Sequence, residues 1–281
     1  MFDILTVVFR EELSILRVQA QSIDLYCRDV GIKNIFVVVN DTDDLADDVD
    51  VNWYGKFSKQ VKIIPRSRLG SQFHSDGWMS QQYLKLQGST LSSNKWVMVL
   101  DAKSIFIKTL NLKKFFDVFG RIRSGYSKLG PFWHDAEQNV NQLFNIQLQG
   151  ASGRIPYLFR VDLVKNMINH IETTHNTSFD IWFNKFPYGH ITEISLYFSY
   201  VQSVYRTLWK YASKNKYINA ACAGRNRIDI ADTVFDTELF EKRNHMVMIH
   251  RYVWNVLSTE RKEKYKKFLI DKGLSTAENL V

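Results

Sequence analysis

The order of apolar segments in the first hundred residues constrains the fold of this chain more than any other feature of its sequence. Four short apolar runs predict buried strands at residues 3–9, 35–40, 61–64 and 96–100. Apolar residues at spacings of three and four predict helices between these strands, at 11–29 and 78–91. Strands that alternate with helices form βαβ units and mainly parallel sheets. We therefore expect an α/β fold with a mainly parallel central sheet flanked by helices.

The periodicity weakens after residue 101. Residues 121–155 are rich in Gly, Asn, Gln and aromatic residues, which is typical of a long loop or a small additional sheet. Further along, the pattern predicts a strand at 246–249 and helices at 161–174, 193–212 and 258–272. The chain has 281 residues and shows neither an internal repeat nor a low-complexity tract. We therefore expect a single domain over residues 1–281.

The charge of the chain is unevenly distributed. The formal net charge is +8, with 37 Lys and Arg against 29 Asp and Glu. Residues 41–50 (DTDDLADDVD) contain six of the Asp and no basic residue, so the rest of the chain carries a net charge of +14. A basic balance of this size suits phosphate-bearing ligands, nucleic acid or an anionic membrane surface without selecting among them, and a solvated basic surface with no ligand is the alternative.

Cysteine usage and the lack of targeting segments indicate the compartment. Cys27 and Cys222 form neither a CxxC pair nor a disulfide framework, which is typical of a reducing environment. The first ten residues lack the basic segment and the cleavage site of a signal peptide, and no run approaches the length of a membrane-spanning helix. We expect a cytoplasmic protein, with peripheral association at the inner face of an anionic membrane as a further expectation.

Polar or charged residues follow three of the predicted strands directly. Ligands of open parallel sheets bind beyond the carboxyl ends of the strands, where the loops converge. A strand-end Asp can also cap the helix that follows it, so a single such residue would say little. The residues concerned are Asn40 and Asp41, Asp101 and Lys103, and His250 and Arg251. Their recurrence predicts a ligand site at this edge of the sheet.

Several enzyme classes are excluded by the motifs that the sequence lacks. It contains neither GxxxxGK[ST] nor GxGxxG, the phosphate-binding patterns of P-loop and classical dinucleotide enzymes. It contains no HExxH and no paired CxxC, which argues against zinc hydrolases and zinc ribbons. A nucleophile elbow, GxSxG, is also absent.

Two consecutive segments resemble GT-A glycosyltransferases. Residues 77–86 (GWMSQQYLKL) predict a helix, and the strand at 96–100 ends in Asp101-Ala102-Lys103, where that superfamily has a short acidic Asp-x-Asp motif. The sequence is most similar to a poorly characterised bacterial and phage group whose motif reads Asp-Ser-Lys. Segments 155–160, 192–197 and 249–251 also fit that group, so that the resemblance extends over residues 3–255.

The resemblance implies a GT-A, Rossmann-like fold with a nucleotide-binding half at about 1–110, an acceptor half at about 111–255 and a C-terminal helix at about 258–272. It implies transfer of a sugar from a nucleotide-diphosphate sugar to a hydroxyl of a glycan or of another cell-surface or phage-related acceptor. No organic cofactor and no specific nucleic acid are expected. A nucleotidyltransferase on the same fold and a non-catalytic basic binding module are the alternatives.

The departing diphosphate of such a reaction must be neutralised by a divalent cation or by fixed basic side chains. Asp101 and His250 would be the ligands of Mn²⁺ or Mg²⁺. The position of the second Asp is Lys103, however, which cannot coordinate a metal while protonated. The rival is direct neutralisation by Lys85, Lys103 and His250, and both remain open. The residues assigned to donor binding are Thr6, Phe9, Asn40, Asp41, Lys85, Asp101, Lys103, His250 and Arg251.

An acceptor hydroxyl is a poor nucleophile, so inverting enzymes place a carboxylate beside it as general base. Glu193 is the first candidate, because it opens an aromatic helix after a Gly-His turn and the similar group has a glutamate there. Asp135, in the predicted long loop, is the second. Aromatic side chains that could stack on sugars or on a base are Trp133, Trp182 and Tyr188.

Overall fold

The computed structural model describes residues 1–28, 30–152, 155–215, 217–223, 228–229 and 231–280. The strands are β1 (Phe2–Val8), β2 (Ile32–Val39), β3 (Val61–Ile64), β4 (Trp96–Asp101), β5 (Ile105–Phe106), β6 (Ile122–Arg123), β7 (Tyr126–Ser127), β8 (Ala151–Ser152), β9 (Tyr157–Arg160), β10 (Ala212–Ser213), β11 (Ala220–Ala223) and β12 (Met246–Ile249). The helices are α1 (Leu13–Tyr26), α2 (Gly77–Ser89), α3 (His134–Phe144), α4 (Val161–His175), α5 (Phe179–Phe183), α6 (Glu193–Tyr205), α7 (Ala231–Thr237), α8 (Arg251–Val256) and α9 (Thr259–Asp271). None of the helices in these ranges is long and apolar enough to cross a membrane.

The central sheet has five strands in the order β3-β2-β1-β4-β9. The first four are mutually parallel, and β9 runs antiparallel to β4 at the edge. β1 is the middle strand and all seven of its residues are buried, as expected for a strand covered on both faces. The predicted α/β class with a mainly parallel sheet flanked by helices is therefore confirmed.

The four predicted strands of the first hundred residues are present, with ends shifted by a few residues. The predicted helix at 11–29 is shorter: a 3-10 turn at Arg10–Glu12 precedes α1, which ends at Tyr26, and residue 29 lies outside the described residues. The predicted helix at 193–212 ends at Tyr205, because Arg206 has a φ of 64°, which a continuing α-helix does not allow. Residues 208–213 then form a 3-10 turn and β10.

The prediction of a long loop or small sheet at 121–155 was partly wrong. The short strands β6, β7 and β8 are there, but α3 lies between them. Only Ala136, Val140 and Phe144 of this helix are buried, at spacings of four, and most of its other residues are polar. So narrow an apolar face is hard to recognise in a sequence.

A second, smaller sheet has the order β11-β12-β5. It packs with α7, α8, α9 and the residues after α9 around a hydrophobic cluster separate from that of the central sheet. β12, which delivers His250 and Arg251, therefore belongs to this smaller sheet. Because β5 begins four residues after β4 ends, the smaller sheet starts beside Asp101.

Helix α2 packs very closely on the central sheet at Gly88. A Cβ atom at this position would lie 3.0 Å from a methyl carbon of Leu5 and 3.3 Å from one of Val38. Glycine therefore lets the helix backbone approach β1 and β2 more closely than any other residue would. This approach carries Lys85, one turn earlier, toward the end of β4.

Asp3 is a buried hub at the amino end of β1. Its Oδ1 accepts hydrogen bonds from the backbone N–H of Asn34 (2.9 Å) and the side-chain amide of Asn94 (2.9 Å), and its Oδ2 accepts one from the Ser92 hydroxyl (2.6 Å). The carboxylate therefore ties β1 to β2 and to the turn before β4.

We predict that Asp3→Ala lowers the free energy of unfolding by about 3 kcal/mol, because it leaves several buried donors without an acceptor. Urea denaturation of the purified protein measures this. Asp47→Ala is the matched control: Asp47 is exposed, and its removal should change the free energy by less than about 0.5 kcal/mol. Equal effects of the two substitutions would contradict the assignment of Asp3 as a hub.

Candidate active site

The carboxyl ends of β1, β2 and β4 lie side by side, because these strands are parallel neighbours. We call this region the carboxyl edge. β1 continues into the turn Arg10–Glu12, β2 into Asn40, and β4 ends at Asp101. Arg251, which follows β12, forms an ion pair with Glu11 in the turn after β1. The structure thus brings the three predicted strand ends together.

Asp101 is fixed at the end of β4 by its backbone as well as its side chain. Its carbonyl oxygen accepts hydrogen bonds from the side-chain amide of Gln19 (2.5 Å) and the backbone N–H of Ser104 (2.9 Å). Its carboxylate lies between two ammonium groups: Oδ1 is 2.8 Å from Lys85 Nζ and Oδ2 is 2.9 Å from Lys103 Nζ. Asp101 therefore cannot turn without breaking several contacts.

Lys85 joins Asp101 to Glu193, the first residue of α6. The Lys85 ammonium is 3.0 Å from Glu193 Oε1, and the same oxygen accepts a hydrogen bond from the Tyr157 hydroxyl (2.6 Å). The amide of Gln82 also faces this carboxylate and can donate to Oε2. Each side chain of the Lys85–Glu193 pair is only 3% exposed. A capping box between Thr192 and Ser195 fixes the helix start that carries Glu193.

Glu12, in the turn after β1, adds a further carboxylate beside the ammonium group of Lys103. It interacts electrostatically with Lys103, and its Oε2 is buried without a hydrogen-bond donor among the described residues. The charges alternate in sign along the series, with three carboxylates and two ammonium groups. We call this series the charge chain; its members, in order, are Glu193, Lys85, Asp101, Lys103 and Glu12.

The members of the charge chain determine one another's ionisation. Burial by itself would raise the pKa of Asp101, but the ammonium groups of Lys103 and Lys85 outweigh burial and hold that pKa well below its usual range. Burial would lower the pKa of Lys85, but Asp101 and Glu193 outweigh it and raise that pKa. Burial raises the pKa of Glu12, partly countered by Lys103. Asp101 and Lys85 are therefore ionised at neutral pH.

Thr6 and Phe9 are both predicted to bind the donor. Thr6 lies within β1, two residues before its end, and Phe9 follows the strand directly. Thr6 is fully buried and its hydroxyl donates to Gln19 Oε1 (2.9 Å), so it supports the side chain that holds Asp101. The ring of Phe9 lies against Gly77 at the start of α2, where an added Cβ would come within 2.9 Å of the ring.

Asn40 and Asp41 follow β2. The Asn40 side-chain amide donates to the Gly77 carbonyl (2.9 Å), while its Oδ1 is buried and has no donor among the described residues. Asp41 accepts from the backbone N–H of Arg10 (2.5 Å). The Arg10 guanidinium binds Asp44 (2.7 Å) and Asp48 (2.6 Å). The Asp-rich segment is thus folded over Arg10 beside the carboxyl edge.

His250 is the N-cap of α8: its Nδ1 accepts from the backbone N–H of Tyr252 (3.3 Å), and the two rings stack. A divalent cation needs several oxygen ligands, whereas both oxygens of Asp101 are bound to ammonium groups. Across the described ranges, no group of three or more His, Cys, Asp or Glu side chains could hold a metal ion. The residues described at the carboxyl edge therefore do not fit a divalent cation.

Asp135 lies on the first turn of α3 rather than in a loop. Its Oδ2 is 3.4 Å from Nε2 of His190, and the side chains of both residues are accessible, at 57% and 39%. Three partly exposed aromatic rings lie nearby: the Trp78 ring centroid is 5.8 Å from that of Trp133 and 4.8 Å from that of Tyr188. We call these three rings the aromatic platform.

The aromatic platform adjoins the carboxyl edge through Trp78, the second residue of α2. Lys85 lies two turns further along the same helix, about 10 Å away by helix geometry. Trp182, the third aromatic residue predicted to stack, is instead buried in the core against Phe179 and Phe186.

Sequence reasoning did not assign six residues of this site: Glu12, Gln19, Trp78, Gln82, Tyr157 and His190. Gln82 and Tyr157 lie within the segments that carry the resemblance, but they resemble ordinary helix and strand residues there. Glu12 follows a predicted strand by only a few residues, and this position is a signal that could have been used. Gln19 lies inside a helix, and nothing in the sequence distinguishes it.

Several solved glycosyltransferases are similar to this chain in structure. The galactosyltransferase LgtC, solved with donor and acceptor sugar analogues, is 11% identical over 93% of this chain and 94% of its own, with a TM-score of 0.43. GlyE of Streptococcus pneumoniae TIGR4 is 13% identical, with a TM-score of 0.46, and the match covers 98% of this chain but 62% of GlyE. Mouse xyloside xylosyltransferase 1 is 11% identical over 88% of this chain and 97% of its own, with a TM-score of 0.44.

None of the curated proteins matches the sequence. A family model described as a family of unknown function, DUF6492, matches residues 6–266, which include every member of the charge chain and the whole aromatic platform. This chain therefore belongs to the DUF6492 family.

Proposed function

We propose that this protein is a GT-A-type glycosyltransferase that moves a sugar from a nucleotide-diphosphate sugar to a hydroxyl of a glycan or related acceptor. The observation that carries the proposal is Asp101 held between Lys85 and Lys103 at the carboxyl edge. Fixed cations there meet the requirement for positive charge beside a departing diphosphate. The position is also where GT-A enzymes, which the sequence resembles, have their acidic motif.

The two lysines have different roles, because they differ in accessibility. The Lys103 side chain is 13% exposed and that of Lys85 is 3% exposed. Lys103 is therefore the cation that a phosphate oxygen can approach, by competing with Asp101 for its N–H groups. Lys85 stays between Asp101 and Glu193 and keeps both carboxylates in place.

Two buried acceptor atoms favour a ligand that carries hydroxyl groups. Asn40 Oδ1 and Glu12 Oε2 lie at neighbouring strand ends and lack a donor among the described residues. A buried acceptor without a donor costs about 1–3 kcal/mol. Ribose and sugar hydroxyls are donors that would satisfy both atoms, after a small rotation of the side chains.

The aromatic platform suits the acceptor sugar. One face of a pyranose ring presents mainly C–H groups, which pack favourably on the face of an aromatic ring, while its hydroxyls point to the rim. Asp135 and His190 form such a polar rim. We assign proton acceptance from the attacking hydroxyl to Asp135, which an acceptor can reach, with His190 as its neighbour.

Glu193 has a supporting role in this scheme. A general base must meet the proton that it removes, whereas Glu193 is buried and its carboxylate is occupied by Lys85, Tyr157 and Gln82. We propose that its negative charge keeps Lys85 in position, so that its loss would disturb donor binding as well as turnover.

We predict that Lys103→Ala lowers nucleoside-diphosphate affinity and reduces kcat by about 10²-fold, because one fixed cation is lost from the developing charge. Calorimetry with UDP, GDP, CDP and dTDP, followed by turnover with the corresponding sugar donors, measures both. Wild-type binding should persist in EDTA, since the cations here are side chains.

Lys128→Ala is the control for this experiment. Lys128 is exposed, and its substitution removes the same charge at a position outside the site. Asp101→Ala is less suitable: it leaves two ammonium groups without their shared partner and should destabilise the fold by about 3–5 kcal/mol. Normal nucleotide affinity in Lys103→Ala, or binding that EDTA abolishes, would refute the proposed donor site.

We predict that Asp135→Asn reduces kcat by about 10²–10⁴-fold while the donor Kd and the melting temperature stay unchanged. Glu193→Gln should instead lower the melting temperature and weaken donor binding, because glutamine does not neutralise Lys85. Turnover, donor Kd and melting temperature are measured for both variants in parallel. The opposite pattern, with a stable donor-binding Glu193→Gln protein that has lost turnover, would make Glu193 the base.

A further inference from the structure

Two neighbouring side chains, Val118 and Phe119, are the most exposed large apolar residues of the described chain, at 90% and 78%. Trp209 is 56% exposed, and its backbone lies near the same turn, since Arg121 donates to its carbonyl oxygen (3.0 Å). We call these three residues, Val118, Phe119 and Trp209, the apolar tip. It lies apart from the charge chain and the aromatic platform, and no step of the proposed reaction uses it.

The turn that carries Val118 and Phe119 is held by several hydrogen bonds and an ion pair. Asp117 Oδ1 accepts from the backbone N–H groups of Phe119 and Arg121, each at 2.9 Å, and Asp117 Oδ2 pairs with the Arg121 guanidinium at 2.7 Å. The same guanidinium lies over the Phe119 ring, 5.0 Å from its centroid. The side chains are therefore presented outward by a preformed turn.

The two segments that carry the tip are rich in basic residues. Residues 102–134 contain seven Lys or Arg and one acidic residue, Asp117, which is paired with Arg121. Residues 194–228, which include Trp209, contain no Asp or Glu. We give the name basic collar to five of the basic residues that lie within five positions of a tip residue in the sequence: Lys113, Lys114, Arg121, Arg123 and Lys210.

We propose that the apolar tip inserts into the interface of an anionic lipid bilayer while the basic collar contacts the headgroup phosphates. Aliphatic and aromatic side chains partition into the interfacial region, and Lys and Arg near an anionic surface add an electrostatic attraction. The long basic side chains can lie along apolar surface and keep their charges among the phosphates. This surface would make the protein peripheral to a membrane, whatever reaction it catalyses.

A second copy of the chain fits the tip less well than lipid does. Stable protein interfaces bury about 800 Å² on each partner and involve about 20–30 residues a side, whereas the tip has three apolar residues. In a symmetric dimer the two basic collars would face and repel each other. An anionic lipid surface has the complementary charge and does not require shape complementarity.

The test is co-sedimentation of the full chain with phosphatidylcholine vesicles, with and without phosphatidylglycerol. We expect binding only to the anionic vesicles, weakened by salt. The V118S/F119S double variant should reduce the partition coefficient by about tenfold or more. The K113S/K114S variant should reduce it by up to about 30-fold, through the loss of two attractive charges.

Val256→Ser is the matched control, because Val256 is 57% exposed on a different part of the surface and should leave binding unchanged. The substituted side chains are exposed, and circular dichroism checks that each variant is folded. A fluorophore attached at Val118→Cys, in a Cys222→Ser background, should shift to the blue when anionic vesicles are added. Undiminished binding of V118S/F119S, absence of vesicle binding by the wild type, or self-association that this variant abolishes would each overturn the proposal.

Discussion

The burial of Lys85 between Asp101 and Glu193 is the interaction on which the rest of the site depends. Removing an ammonium group from water costs several kcal/mol, and only close opposite charges offset that cost. The two carboxylates come from β4 and from α6, and Asp101 and Glu193 are 92 residues apart in the chain, while Lys85 comes from α2. One buried cation therefore fixes the positions of a strand end and two helices relative to one another, and removing either carboxylate leaves that charge only partly compensated.

The overall charge of the sequence says little about the charge at the site. The six Asp of residues 41–50 do not form a bare acidic surface, since part of the segment is folded over Arg10. The positive and negative charges of the charge chain nearly cancel, although the polypeptide as a whole is basic. Under the proposed function, the site offers an anionic ligand a fixed geometry around Lys103, whose N–H groups can exchange one oxygen partner for another. Accessibility, more than net charge, would then decide which lysine binds the ligand.

The parallel sheet and its strand ends could be predicted from the sequence, because buried strands and amphipathic helices have strong local patterns. Asp101 and Lys103 followed from their position after β4, and Glu193 from the helix that it opens. The contacts of Glu193 could not be predicted: its partners Lys85, Gln82 and Tyr157 meet it only through the packing of distant elements. Helix α3, which positions Asp135, could not be predicted because its buried face consists of only three residues in a single row along the helix.

Strand β4 connects two surfaces of very different character. Trp96, at its amino end, packs against Phe116, which leads into the turn of the apolar tip, and Asp101 stands at its other end. Six residues of strand span about 20 Å. With β4 along the membrane normal, a protein bound to a bilayer through that turn would hold the carboxyl edge about this far from the bilayer, facing the aqueous phase. In that orientation the proposed transfer would act on acceptor sugars that project from the bilayer rather than on sugars at headgroup level.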